Sequence, residues 1–318
     1  MKKKVHLSKA KAFYDDLKVR TEQCKHDPSI EVLSIDHQQN LPVPLLTTGE
    51  IFYARQVWVF NQCFHSGRTG ESVMYMYDET TGRKGANETV SFLKHYIETK
   101  LPRDVKTLFI YSDNSSGQNK NHCMVRFLNT LVQCGQLENI VHHFPERGHS
   151  FLPCDRSFGN IEKLKRKKEI LYLPHEWYNL VSSCSKKFTV VRVSRDMILD
   201  LNAHLMPHYK KTIKTNGVPF RISKYKVFKY TRDCKMEVLA SVDHTAVLPQ
   251  RFVIQKGTAS ASIDLSAPVL YGGPFAINKL KHRDVMKLAK KYVPPIHMPW
   301  YDSLRPDDAE VLSDGDDD

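Results

Sequence analysis

The sequence runs to 318 residues with 41% apolar composition and a formal net charge of +12, enough chain to bury one sizeable core or two modest ones. No apolar run is long enough to span a bilayer, and Met1-Lys-Lys-Lys-Val-His6 lacks the apolar centre of a signal peptide, so the expectation is a soluble intracellular protein, neither membrane-borne nor secreted. The excess of Lys and Arg persists despite an acidic stretch at 306–318, which favours a polyanionic partner through counterion release; nucleic acid is the expected one.

In chain order, residues 1–28 predict a lysine-rich lead-in helix with Ala10, Phe13, Leu17 and Thr21 on one face, closed by Asp27-Pro28. Ile30 to Asp36 is a short apolar strand that ends on an aspartate, stopped by Gln38, Asn40, Pro42 and Pro44. From Glu50 to His65 the aromatic and β-branched residues, Ile51, Phe52 and Tyr53 among them, predict a second strand, and Ser72 to Glu79 reads as its hairpin partner across Ser66-Gly-Arg-Thr-Gly70. A helix follows from about Asn87, with Val90, Leu93, Ile97 and Leu101 in one stripe and Glu88 in its first turn. Val105 to Asp113 is a buried strand, the polar loop 114–121 leads to a helix carrying Met124, Leu128 and Leu131, and Ile140 to Phe144 is a further strand. A last helix of this series contains Asp155, Glu162 or both.

A β-meander followed by alternating helices and strands argues for a mixed five-stranded sheet flanked by helices, the succession of a ribonuclease H-like α/β fold, over residues 29–170. Beyond it, 171–300 predicts a smaller, basic α+β or β region. Its strands are expected at Lys186–Val193, Phe220–Tyr230, Glu237–Val242 and Phe252–Gln255, with a basic amphipathic helix at Ala276–Tyr292. Residues 301–318 form an acidic tail expected to be disordered. The seven cysteines contain no C-x-x-C pair and read as reduced thiols; Cys154, His149 and His142 or His143 match no familiar zinc spacing.

Asp36, Glu88, Asp113 and Asp155 or Glu162 all fall where strands end or helices begin, the positions at which open α/β sheets keep their chemistry. In a ribonuclease H-like sheet the first and fourth strands are neighbours, so Asp36 and Asp113 would face each other. Clustered carboxylates repel and are tolerable when divalent cations neutralise them, and Mg²⁺ or Mn²⁺ suits an all-oxygen set that keeps positions open for water and phosphate. Two such ions can activate an attacking hydroxyl and stabilise the leaving oxygen of a phosphodiester. The third acid is open: Asp155 and Glu162 on one helix would stand about 10 Å apart, so only one can bind directly. Pro153 favours a helix start that puts Asp155 in the first turn, whereas a start after Gly159 would put Glu162 there; Asp155 is preferred. Gln118, Asn119 and Lys120 lie close enough to Asp113 to touch phosphate, although Asn119 or Asn121 would equally serve as a helix cap. The run Lys163, Lys165, Arg166, Lys167 and Lys168 reads as a nucleic-acid or nuclear-targeting patch, or else as a solvated helix face.

Ser-Ile-Asp36-His-Gln-Gln-Asn, Gly-Arg-Lys-Gly-Ala-Asn-Glu88, Tyr-Ser-Asp113-Asn-Ser-Ser-Gly-Gln-Asn-Lys-Asn and Gly-His-Ser-Phe-Leu-Pro-Cys-Asp155-Arg-Ser-Phe-Gly-Asn-Ile-Glu162 resemble a transposon-derived family abundant in arthropod genomes, along nearly the whole chain up to His297. The resemblance implies an integrase or transposase core with a ribonuclease H-like catalytic domain, in which Asp36, Asp113 and Asp155 or Glu162 match the acidic positions and Glu88 is a fourth ligand. It further implies DNA cleavage and strand transfer with Mg²⁺ or Mn²⁺, a nuclear or nucleo-cytoplasmic location, and a homo-oligomer as in other transposases. Longer relatives carry an additional N-terminal region that is missing here, so the expected alternative is a domesticated, catalytically inactive nucleic-acid-binding or protein-interaction module.

Overall fold

The computed structural model describes residues 2–135, 137–257 and 263–307. The first element, α1 (Lys2–His26), is followed by β1 (Ile30–His37), a short β2 (Leu41–Val43), β3 (Val57–Ser66) and β4 (Ser72–Asp78). Next come α2 (Ala86–Thr99), β5 (Thr107–Ser112), α3 (His122–Gln133), β6 (Asn139–His143), α4 (Pro153–Lys165) and α5 (Pro174–Cys184). The remainder supplies β7 (Phe188–Arg192), a short α6 (Leu201–Leu205), β8 (Val227–Thr231), β9 (Glu237–Ser241), β10 (Gln250–Val253) and α7 (Lys279–Tyr292).

These ten strands form one mixed sheet in the order β10-β9-β8-β6-β5-β1-β3-β4-β7, with β2 alongside β3. The pairs β1–β5, β5–β6 and β4–β7 are parallel and the others antiparallel. The central strands are apolar almost without interruption because helices cover both of their faces. On one face Leu33, Ile35, Phe64, Leu108 and Ile110 pack with residues of α2, α3 and α6. On the other, α1 sets Phe13 and Leu17 on Val32, Phe109 and Tyr111, while α4, α5 and α7 set Phe158, Trp177 and Val285 near Val59, Cys63 and Met74.

The mixed α/β architecture agrees with the expectation, but the sheet has ten strands where five were expected. The region after residue 170 lengthens the same sheet at both edges, β7 pairing with β4 and β8 with β6. Two strands were also drawn too long. Residues Gly49–Tyr53 form a 3₁₀ turn, since Phe52 and Tyr53 project into solvent and have no neighbouring strand; β3 starts at Val57. Ile222–Lys224 forms another such turn, so the alternating segment becomes a strand only from Val227. The expected tail is described as far as residue 307, and its remainder lies outside the described residues. Among the described residues no helix is long and apolar enough to cross a membrane.

Candidate functional site

Parallel pairing sets Ile35 of β1 beside Ser112 of β5, so the next residues, Asp36 and Asp113, come side by side at the strand ends. Asp36 lies opposite Cys63 across the β1–β3 pair, and Cys63 packs with Cys154 and Phe158 of α4; Asp36 therefore points to the face covered by α1 and α4. Asp113 follows in step with Phe109 and Tyr111, which face α1. The third acid arrives on α4. Cys154 Sγ donates to the Ser34 carbonyl at 3.2 Å and seats the helix on β1, and Pro153 opens its first turn, which carries Asp155.

Each aspartate has one oxygen engaged. Asp36 Oδ1 accepts from the His37 amide at 2.8 Å, Asp113 Oδ1 from the Ser115 amide at 3.1 Å and Asn119 Nδ2 at 2.6 Å, and Asp155 Oδ2 from the Leu152 amide at 2.6 Å. The second oxygen of each has no protein partner among the described residues. Burial first, and then the charges of Asp113 and Asp155, push the Asp36 carboxyl up to about 7, against the opposing pull of the His37 amide and Lys84. The three acids thus sense one another, while among the described residues no group of three or more His, Cys, Asp or Glu side chains converges closely enough to hold a metal ion.

The remaining predicted residues are dispersed. Glu162 is held two turns further along α4, accepting from Gln38 Nε2 at 3.1 Å and facing Lys165 Nζ at 3.3 Å. Glu88 does not join the cluster: its carboxylate accepts from the amides of Arg83 (2.8 Å) and Gly85 (3.2 Å) and from the Tyr271 hydroxyl, closing the N-terminus of α2. A Cβ at Gly85 would come within 2.7 Å of Glu88 Oε2, which explains the glycine there. Asn119 and Lys120 are buried rather than presented to phosphate. Asn119 braces Asp113, and Lys120 donates to Asn114 Oδ1 at 2.9 Å, where burial pulls its ammonium down to about 8. Asn121 is the cap of α3, accepting from the Met124 amide at 2.9 Å, and Gln118 stays half-buried in the turn before it. Lys163, Arg166, Lys167 and Lys168 are exposed, whereas Lys165 is half-buried against Glu162. Cys154, His142 and His143 are buried in separate packing roles, His142 bonding to Ser112 Oγ at 2.8 Å and His143 stacking on Tyr111, so no zinc site forms from them.

Two residues of the site carry no signal in the sequence. Lys84, in the turn before α2, is partly buried and feels the charges of Asp36 and Asp113; it also donates to Asn40 Oδ1 at 3.2 Å. The His37 ring nitrogens, next to Asp36, are buried without a protein partner, and burial holds the ring neutral. A lysine in a Gly-rich turn and a polar residue after a strand usually face water, so nothing marked either one.

The fold and the site define a mixed α/β protein with an aspartate cluster at the ends of two central parallel strands. The chain belongs to the family described as Domain of unknown function (DUF7869), which matches residues 63–249. That span contains Glu88, Asp113, Asp155 and Glu162 and begins within β3, after Asp36. Comparisons with curated proteins and with solved structures return no match.

Proposed function

We propose that this chain is a ribonuclease H-like, transposon-derived protein that cleaves DNA phosphodiesters and transfers the resulting strand, with Mg²⁺ or Mn²⁺ bound by Asp36, Asp113 and Asp155. The observation that carries this reading is the adjacency of Asp36 and Asp113 on neighbouring parallel strands, with Asp155 brought by α4 to the same face. The strand order supports it: β6-β5-β1-β3-β4, with β3 alone running against its neighbours, is the five-stranded succession of such folds, and the other strands are additions around it.

The donor set suits a divalent cation. It is all oxygen, each aspartate keeps one oxygen free of protein partners, and the repulsion among them is what a cation would relieve. Binding requires those oxygens to draw together from their present spacing. When bound, the ions supply activation of the attacking hydroxyl and stabilisation of the leaving oxygen. Lys84 adds a fixed positive charge beside the phosphodiester position, Asn119 holds the Asp113 carboxylate in orientation, and Cys154 keeps the first turn of α4 on β1. Nuclear location and self-association, as in other transposases, belong to the same reading.

A second reading, a nucleic-acid-binding or protein-interaction module without turnover, is favoured by the lack of a converged three-ligand group among the described residues. Cleavage of labelled DNA in Mn²⁺ or Mg²⁺, beside Asp113→Asn and with Mn²⁺ binding followed by calorimetry, separates the two. The expected result is metal-dependent nicking that falls at least 100-fold in the variant, about the size of effect seen when a charge-stabilising group is removed. No nicking and no Mn²⁺ uptake by either form, with DNA bound equally by both, would leave the second reading standing.

A further inference from the structure

Phe52 and Tyr53 stand almost wholly in solvent, 86% and 93% exposed. They are not on a loose tip. The turn Gly49–Tyr53 is capped by Thr48 and tied to α7 by the Glu50–Lys291 ion pair, by Arg55 Nη1 to Asp284 Oδ2 at 2.8 Å and by Thr48 Oγ1 to the Tyr292 hydroxyl at 3.3 Å. Two consecutive aromatic rings fixed in water contribute nothing to the core, and exposed apolar surface of this kind marks a contact.

The surroundings say with what. Tyr53 and Lys287 wall a shallow cleft of about 160 Å³ that also meets Glu50 and Asp284. Both acids are already neutralised, by Lys291 and Arg55, whereas Lys287 and Lys290 have no ion-pair partner among the described residues. Helix α7 carries six Lys and Arg residues against one acid, Asp284. An uncharged protein groove would make no use of these lysines, and a duplex offers no open base faces to the rings. Stacked bases on aromatic rings with phosphates on neighbouring cations is the chemistry of single-stranded nucleic acid binding.

We propose that Phe52, Tyr53, Lys287 and Lys290 form an accessory site for single-stranded nucleic acid, separate from the aspartate cluster and independent of whether that cluster turns over. The test is fluorescence anisotropy of the full chain with a labelled oligothymidylate and a labelled duplex across a salt series. Phe52→Ala/Tyr53→Ala should weaken oligothymidylate binding roughly ten-fold or more while leaving its salt slope unchanged. Lys287→Gln/Lys290→Gln should flatten that slope by about one unit. All four residues are exposed, so the variants should fold as the parent does, which circular dichroism checks. Asp113→Asn should bind the strand like the parent, so a failed cleavage assay and a failed accessory site are read separately. Photocrosslinking of a bromodeoxyuridine oligonucleotide to Phe52 or Tyr53 would support the site directly. Unchanged affinity in the ring variant would overturn it, and so would loss of self-association in sedimentation with nucleic-acid affinity intact, which would assign the rings to a protein contact.

Discussion

Asp36 shows how a site residue shapes the stability of the whole chain. Its carboxyl, pushed up to about 7 by burial and by Asp113 and Asp155, ionises near 4 once the chain unfolds. Between about pH 4 and pH 7 the unfolded state has released this proton while the native state keeps it, so stability falls as pH rises through that window and levels off above it. Asp36→Asn removes the penalty. The variant should match the parent near pH 4 and exceed it by about 1–2 kcal/mol near pH 8, a figure discounted for the partial exposure of the group. Urea unfolding at the two pH values measures it, and a variant less stable than the parent near pH 8 would refute the account. The aspartates were legible in the sequence because each ends an apolar strand or sits behind a proline that opens a helix. Lys84 and His37 were not, because only the packing of the turn before α2 and of the end of β1 takes them out of water.

The helix α1 is where a local pattern understates an element. Its apolar stripe at Ala10, Phe13 and Leu17 is readable, and all three are buried, yet the reading as a lead-in helix misses how it holds the site. Tyr111 donates to Asp16 at 2.6 Å and Tyr14 to the His149 carbonyl at 2.9 Å, so α1 braces both β5, which ends at Asp113, and the loop that enters α4. Phe13 is fully buried with its ring edge-on to Tyr111, 5.6 Å between centroids. Phe13→Ala should cost about 3–5 kcal/mol in urea unfolding, whereas Leu7→Ala, on the exposed side, should change stability by less than about 0.5 kcal/mol. Equal effects would mean that α1 is not docked as described. The misread strand at Ile51–Tyr53 has the opposite cause: aromatic and β-branched residues raise strand propensity whether or not a partner strand exists, and here none does.

At the scale of the molecule, the boundary near residue 170 suggested by composition is crossed by the hydrophobic core. Leu33, Ile110 and Leu128 share one cluster with Tyr209, Phe228, Tyr230 and Val238. The Tyr209 hydroxyl bonds to Thr130 Oγ1 at 2.8 Å and Asn129 Oδ1 at 3.0 Å on α3, and β8 pairs with β6 from Asn139 to His143. Strand order across distant segments is a long-range property that periodicity does not encode, which is why a five-stranded core was legible and its extension was not. The physical consequence is sharp. Cutting the chain after residue 170 would strip β6 and β4 of neighbours, bare their backbone groups, and open the buried face of α3 to water. The full chain should therefore unfold in one transition with coincident fluorescence and circular dichroism curves. Residues 1–170 alone should show no cooperative transition and should bind hydrophobic dye. A cooperative urea transition in that fragment would mean that the edge strands and the shared core are dispensable, and that the aspartate cluster can be held by the five central strands without the rest of the chain.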